Sequence, residues 1–210
     1  MKLLIFGSTG GTGRELVKQA LAQEEHTVTA FARRPEALAI KHPRLKVVQG
    51  NVTDYASVER AIEGQEAALS ALGSPTLKQN TVVSDGTRNI IKAMERFGVK
   101  RFICETSLGV GDSQGQLGFL FNRIFLPLFL RHVFADKEIQ ERLIEESSLD
   151  WIIVRPGRLT NGARTNSYRA GFAPTDKTIK GAISRADVAD FMLKQLTDNT
   201  YLHQTPGISY

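Results

Sequence analysis

The chain begins Met1-Lys-Leu-Leu-Ile-Phe-Gly-Ser-Thr-Gly-Gly-Thr-Gly13, and this stretch decides the fold. Leu3 to Phe6 is a short apolar run suited to a buried parallel strand. Gly7, Gly10 and Gly13 follow at a three-residue spacing, and from Arg14 onward Leu16, Val17, Ala20 and Leu21 make one helical apolar stripe. A strand that turns on glycine into a helix builds an anion site. The missing side chains let the backbone approach a diphosphate, and the helix N-terminus presents free N–H groups and a partial positive charge. Ser8, Thr9 and Thr12 add hydroxyl donors, and Gly11 completes the turn. Dinucleotide binding is the function this arrangement predicts.

The rest of the chain alternates as a doubly wound parallel sheet requires. Strands are expected over Thr27–Phe31, Leu45–Val48, Ala67–Ser70, Arg101–Glu105 and Trp151–Val154. Helices are expected over Tyr55–Ile62, from about Asn80 to Phe97, from about Asp136 to Glu146, and from Ser184, which with Asp187 reads as a capping box. At 210 residues, without repeat or linker, one α/β domain spanning 1–210 is expected. No apolar run reaches the length of a membrane span, and with Met1-Lys2 leading into the first strand no signal peptide is expected. The lone Cys104 excludes an internal disulfide and suits a reducing cytoplasm. The four histidines show no ligand spacing, so no metal is expected.

The second strand ends Phe31-Ala-Arg-Arg-Pro35. NAD-preferring enzymes carry an acid here for the ribose 2′-hydroxyl. Arg33 and Arg34 can instead pair with a 2′-phosphate and stack on adenine, which favours NADP(H).

Together with the glycine turn and Arg33, the segments Gly50-Asn-Val-Thr-Asp54, Leu72-Gly73, Gly86-Thr-Arg-Asn-Ile-Ile91, Thr106-Ser107 and Arg155-Pro-Gly157 make the chain resemble an atypical short-chain dehydrogenase. Within that group it is similar to the single-domain NAD(P)H-binding proteins typified by biliverdin-IXβ reductase, or flavin reductase, over essentially its whole length. The resemblance implies a Rossmann α/β fold. It places Gly50, Asn51 and Val52 beside the adenine, Leu72 and Gly73 beside the ribose, and Thr106, Pro156 and Gly157 towards the nicotinamide. Asp54 would cap a helix, and Asn51 stands where the family usually has Asp.

One motif is absent. Typical short-chain dehydrogenases pair Tyr with Lys four residues later, the lysine lowering the tyrosine's pKa for acid-base work. No tyrosine here has that partner, and Val133 stands at the tyrosine position four residues before Lys137. Ordinary ketone reduction thereby loses its proton donor. A conjugated acceptor such as a flavin, bilin or quinone can take its proton from solvent. Ser107 and Lys137 are the remaining candidates for catalytic roles, orienting substrate or nicotinamide.

The substrate side is expected from two segments, about 107–135 and 155–182. The first holds Leu108 and the apolar run 117–134 with Phe125 and Phe129, readable as pocket wall, core, membrane-surface contact or dimer face. The second holds Arg155, Arg158, Arg164, Arg169, Lys177 and Lys180 against only Asp176, matching the whole chain's net +5. As a cleft wall, Arg155, Arg164 and Arg169 would favour an anionic acceptor; the alternative is a solvated surface loop. Gly111-Asp-Ser-Gln-Gly115 fits a hydrolase nucleophile pattern but lies in a loop with no suitable later histidine. No basic helix suggests nucleic acid, and a monomer or weak homo-oligomer is expected. Three functions remain open: a flavin- or bilin-type reductase, a non-catalytic NmrA-like NADP(H) sensor, and a quinone reductase or epimerase-like enzyme.

Overall fold

Period-two alternation in the central strand organises the molecule. The computed structural model describes residues 1–74, 76–113, 130–172, 176, 178–179 and 181–210. Strand β1 (Lys2–Phe6) sends Leu3 and Ile5 to one face and Leu4 and Phe6 to the other, all fully buried. On the first face Leu16, Val17 and Ala20 of α1 (Gly11–Ala22) pack with Val188, Ala189 and Met192 of α5 (Arg185–Lys194). The second face is covered by α2 (Tyr55–Ile62), α3 (Val82–Phe97) and α4 (Arg131–Glu145).

Between these layers lie β2 (Thr27–Ala32), β3 (Leu45–Gln49), β4 (Ala67–Ser70), β5 (Arg101–Glu105) and β6 (Asp150–Pro156). The short strands β7 (Arg158–Thr160), β8 (Arg169–Ala170), β9 (Ala182–Ser184) and β10 (Gly207–Ser209) follow. Among the described residues the main sheet runs β3-β2-β1-β4-β5-β6-β10-β8, parallel except for the β10–β8 pair, while β7 and β9 pair separately. The chain steps from β1 outward to β3, then returns to place β4 on the other side of β1. This reversal opens a crevice beyond the carboxyl ends of β1 and β4, where doubly wound sheets bind ligands. The fold is the Rossmann arrangement expected from the sequence.

Two differences are informative. α4 starts at Arg131 rather than near Asp136, and Asp136 does not begin its own helix. Its buried carboxylate reaches across to α3, accepting from Val83 N at 3.0 Å and Ser84 N at 3.2 Å. The acid at the expected start of this helix is a cap for a neighbour. The capping box at α5 is half formed: Ser184 Oγ accepts from Asp187 N at 3.0 Å. The Asp187 carboxylate accepts from the Ser184 hydroxyl at 3.0 Å but not from Ser184 N, and it also takes Thr165 N and Asn166 N at 2.8 and 2.9 Å and the Tyr210 hydroxyl at 2.6 Å. β7 to β10, of two or three residues each, are too short to show periodicity in sequence. Among the described residues no helix is long and apolar enough to cross a membrane.

Candidate functional site

The β1–α1 turn is built on steric necessity. Gly7 has φ of +72°, and a Cβ there would lie 2.3 Å from the Ala71 carbonyl oxygen. A Cβ on Gly13 would lie 2.1 Å from the Gly7 carbonyl oxygen. Glycine at both positions lets the helix start fold back tightly on the strand that feeds it. Gly10 caps α1 without any side-chain hydrogen bond, and the first turn carries no acid. The N–H groups of Gly11, Thr12 and Gly13 precede the first intrahelical bond, which runs from Arg14 N to the Gly10 carbonyl. No side chain caps them.

This turn opens into a cleft of about 530 Å³. Of the sequence-predicted cofactor residues, Gly7, Thr9, Gly10, Gly11, Thr12, Arg33, Val52, Leu72, Gly73 and Thr106 line it. Ser107, Val133 and Lys137 line it too. Arg33 follows β2 and Ser107 follows β5, three strand spacings apart, or about 14 Å at about 4.8 Å each. An extended dinucleotide running from Arg33 past the α1 N-terminus to Ser107 matches that layout. The residues therefore fit NAD(P)H: a helix start without its own cap, a backbone cradle, and a cation at one end.

The other predicted residues stand elsewhere. Ser8 is fully buried, donating to the Phe31 carbonyl at 2.9 Å, so it braces the turn from behind. Arg34 and Asn51 are exposed outside the cleft lining, and Asn51 Oδ1 accepts from Thr53 N at 3.2 Å. Asp54 caps α2 by accepting from Ala56 N. Pro156 and Gly157 are also outside the lining, their backbone groups tied to Leu108 N and the Ile208 carbonyl. Leu108 is buried and lines a different cavity. Phe125 and Phe129 lie outside the described residues, as does most of the apolar run; its end, Val133 and Phe134, lines the cleft.

The three arginines expected as an acceptor wall are not brought to the cleft. Arg155 follows Ile153 in strand alternation and so faces α4, where Nε and Nη2 bond the two Glu141 carboxylate oxygens at 3.0 and 2.7 Å. Asp112 takes its Nη1. Thr106 Oγ1 joins this network by donating to Glu141 Oε1 at 2.6 Å, which turns its side chain towards α4. Arg164 pairs with Asp190 at 3.3 Å and Arg169 with Asp176. The charges of these three arginines are met by carboxylates, all but Asp176 outside the segment. Ser113, in the nucleophile-like pattern, is buried, donating to the Val110 carbonyl at 2.6 Å and accepting from Gly109 N at 2.8 Å.

At the cleft end near β5, Lys137 Nζ donates to the Thr106 carbonyl at 3.2 Å, and the Ser107 hydroxyl to the Leu108 carbonyl at 3.0 Å. Val133 lies one helical turn before Lys137 on the same side of α4. Two charged lining residues went unread in the sequence. Arg185, which follows the Ser184 cap, reaches the cleft and donates to Asn161 Oδ1 at 2.6 Å. Glu105 is an acid ending the buried strand Phe102-Ile-Cys-Glu, and that misplaced polarity was the available signal. Cys104, one residue earlier, faces the opposite layer, and burial pushes its thiol up to about 12. Among the described residues no cluster of His, Cys, Asp and Glu is arranged to hold a metal ion.

Comparison with known proteins agrees with this geometry. An uncharacterized sugar epimerase, YhfK, of Bacillus subtilis is 26% identical over 217 residues, covering 99% of this chain and 95% of the relative. The structure of ChuY, an anaerobillin reductase from Escherichia coli O157:H7, superposes with a TM-score of 0.80 at 26% identity, covering 100% of this chain and 97% of that one. A short-chain dehydrogenase/reductase from Veillonella parvula in complex with NADP shares the fold, with a TM-score of 0.81 at 18% identity over 100% of this chain and 94% of that one. Residues 7–199, from the glycine turn to beyond α5, match the NAD(P)H-binding family, and the chain belongs to that family.

Proposed function

We propose that the protein is an NADPH-dependent reductase of flat, conjugated acceptors of the flavin or bilin class. The observation that carries this reading is the pairing of Val133 with Lys137 on the cleft wall. A hydrocarbon occupies the place from which the tyrosine of a typical short-chain dehydrogenase would donate its proton. Alcohol oxidation and sugar epimerisation both need that group. A delocalised acceptor does not, because its reduced anion is stable enough to be protonated by water. The bound cofactor supplies the hydride. Arg33, exposed at the cleft's β2 end, pairs with the 2′-phosphate, with Arg34 beside it outside the lining. Ser107 and Lys137 orient the reacting rings by hydrogen bonding. Val133 and Phe134 offer an apolar surface to the acceptor. The similarity to an anaerobillin reductase supports an acceptor of this shape.

Two measurements test the reading. Arg33→Ala is expected to lower the preference for NADPH over NADH at least tenfold, since a charge-assisted contact contributes roughly 1.5–3 kcal/mol and only NADPH carries the phosphate. Equal loss for both cofactors would remove the assignment. A panel of FMN, biliverdin and quinones is expected to show steady NADPH consumption with at least one flavin or bilin. Tight NADPH binding with no turnover of any acceptor would favour an NmrA-like sensor, which the missing tyrosine also suits.

A further inference from the structure

Glu105 is a buried acid in the cleft wall that neither cofactor pairing nor acceptor packing uses. Strand alternation turns it to the face of Ile103, towards α1 and α5, and only 7% of its surface is exposed. Thr12 Oγ1 donates to its Oε1 at 3.0 Å. Thr12 is the second residue of α1, so the carboxyl lies against the helix turn whose N–H groups await a diphosphate. Glu105 is the one acid among the described residues lining the cleft.

The charges around it can be named element by element. Lys137 of α4 and Arg185 of α5 attract the carboxylate, and α1 contributes the neutral Thr12. Glu141 and Arg155 belong to the network on the opposite face of the sheet, with Thr106. Burial outweighs these attractions and holds the Glu105 carboxyl above the usual carboxylate range before any ligand arrives. A diphosphate at α1 adds negative charge in a poorly solvated place, where repulsion is strong.

We propose that dinucleotide binding is coupled to uptake of a proton by Glu105, so that the cofactor is held beside a neutral carboxylic acid. The inference rests on the reading that the diphosphate sits at the α1 N-terminus. As an acid, Glu105 still accepts from Thr12 through its carbonyl oxygen. Its hydroxyl becomes a donor into the cleft, so a repelling group turns into one that can hydrogen-bond an anion. Glu105 thereby acts as a positioning residue for the cofactor.

The sign of the pH dependence follows. Below the free protein's Glu105 titration the acid is already neutral, and affinity is flat. Above it the proton must be taken from solvent, and the Kd rises by up to tenfold per pH unit. NADPH Kd is measured from pH 5.5 to 8.5 on the wild type and on Glu105→Gln, whose amide cannot ionise. The ratio of the two Kd values cancels titration of the 2′-phosphate. The ratio is expected to rise with pH, with the variant binding at least tenfold tighter than wild type at pH 8.5. A constant ratio overturns the proposal. Thr12→Val removes a donor that favours the carboxylate, so the onset is expected to move to higher pH; movement to lower pH overturns it.

A proton count needs no variant. Calorimetry with NADH, whose phosphates do not titrate in this range, in two buffers of different ionisation enthalpy should show net uptake of up to one proton above the onset. Zero uptake across the range overturns the proposal. If Gly10→Asp leaves NADPH affinity unchanged, the diphosphate is not at α1 and the underlying reading fails. If Gly10→Asp abolishes binding while the Kd ratio stays flat, only the proton coupling fails.

Discussion

Helices α1 and α5 pack against each other on the same face of the sheet, yet their N-termini are finished in opposite ways. At α5 the chain supplies its own acceptor, the Ser184 hydroxyl, while the first-turn Asp187 carboxylate gathers Thr165, Asn166 and Tyr210 beside it. At α1 the cap is a glycine, the first turn has no acid of its own, and the N–H groups face an open cleft. The backbone chemistry is the same at both ends. A helix start closed by its own side chains is structural, and one left open beside a cleft is a place for a ligand.

The sharpest way to break the contrast is to make α1 resemble α5. Gly10 already has extended backbone angles, φ −73° and ψ 171°, that any capping residue adopts. Gly10→Asp should place a carboxylate on the open N–H groups of α1. NADPH affinity is expected to fall at least a thousandfold, about 4 kcal/mol, with stability held within about 1 kcal/mol of wild type. Fluorescence titration and thermal melting read the two effects separately. Unchanged affinity would mean that the open helix start is not the cofactor site.

The converse substitution acts on the closed end. Asp187→Ala leaves two backbone donors and the Tyr210 hydroxyl without their acceptor, and should cost about 3 kcal/mol in denaturant unfolding. NADPH Kd, measured on the folded fraction, should stay within about twofold, or about 0.4 kcal/mol. A large affinity loss there would show that the two helix ends are not functionally separate. Burial pushes the Asp187 carboxyl up, but hydrogen bonds from Tyr210, Asn166 and Thr165 outweigh it and hold it below the usual range. Its contribution is therefore fully present above the unfolded value of about 3.9 and fades as pH falls through the lower folded one. Asp187→Asn should be less stable at pH 7 and lose less between pH 5 and 3.

A third helix start extends the comparison. α3 is capped by Asp136 of another helix, so Asp136→Ala is expected to cost about 1–2 kcal/mol, the smallest of these effects. Loss of stability below about 0.5 kcal/mol would show that water replaces the carboxylate there without penalty.

The open helix start was the part of the site easiest to read in sequence, because glycine spacing, strand and helix are contiguous. Strands β1 to β6 were legible for the same reason: each is a short apolar run bounded by turn residues. Contacts made across the sheet were not. Asp136 looks like a local signal in one dimension and is a distant cap in three. The basic segment reports how much charge it holds but not where the charge points. Alternation from Ile153 would have turned Arg155 away from the cleft, and alternation from Ile103 would have turned Glu105 into its wall. Arg164 and Arg169 sit among loops and a two-residue strand, where no periodicity assigns a face.

Asp136 has one more consequence. Its helix carries Val133, Phe134 and Lys137 at the cleft end near β5, and the helix it caps begins at Val82, which lines the same cleft. The buried Asp136 carboxylate ties these two walls together, with Gln140 donating to Thr87 farther along the same two helices. Ligands pressing on either wall share that strut, so whatever coupling it carries is reciprocal: the factor by which a ligand at the Val82 wall changes affinity at the Lys137 wall is the factor by which a ligand there changes affinity at the first. Thermodynamic reciprocity then makes order of addition irrelevant to the final state and confines it to the kinetics, where the two walls differ in how readily each is reached.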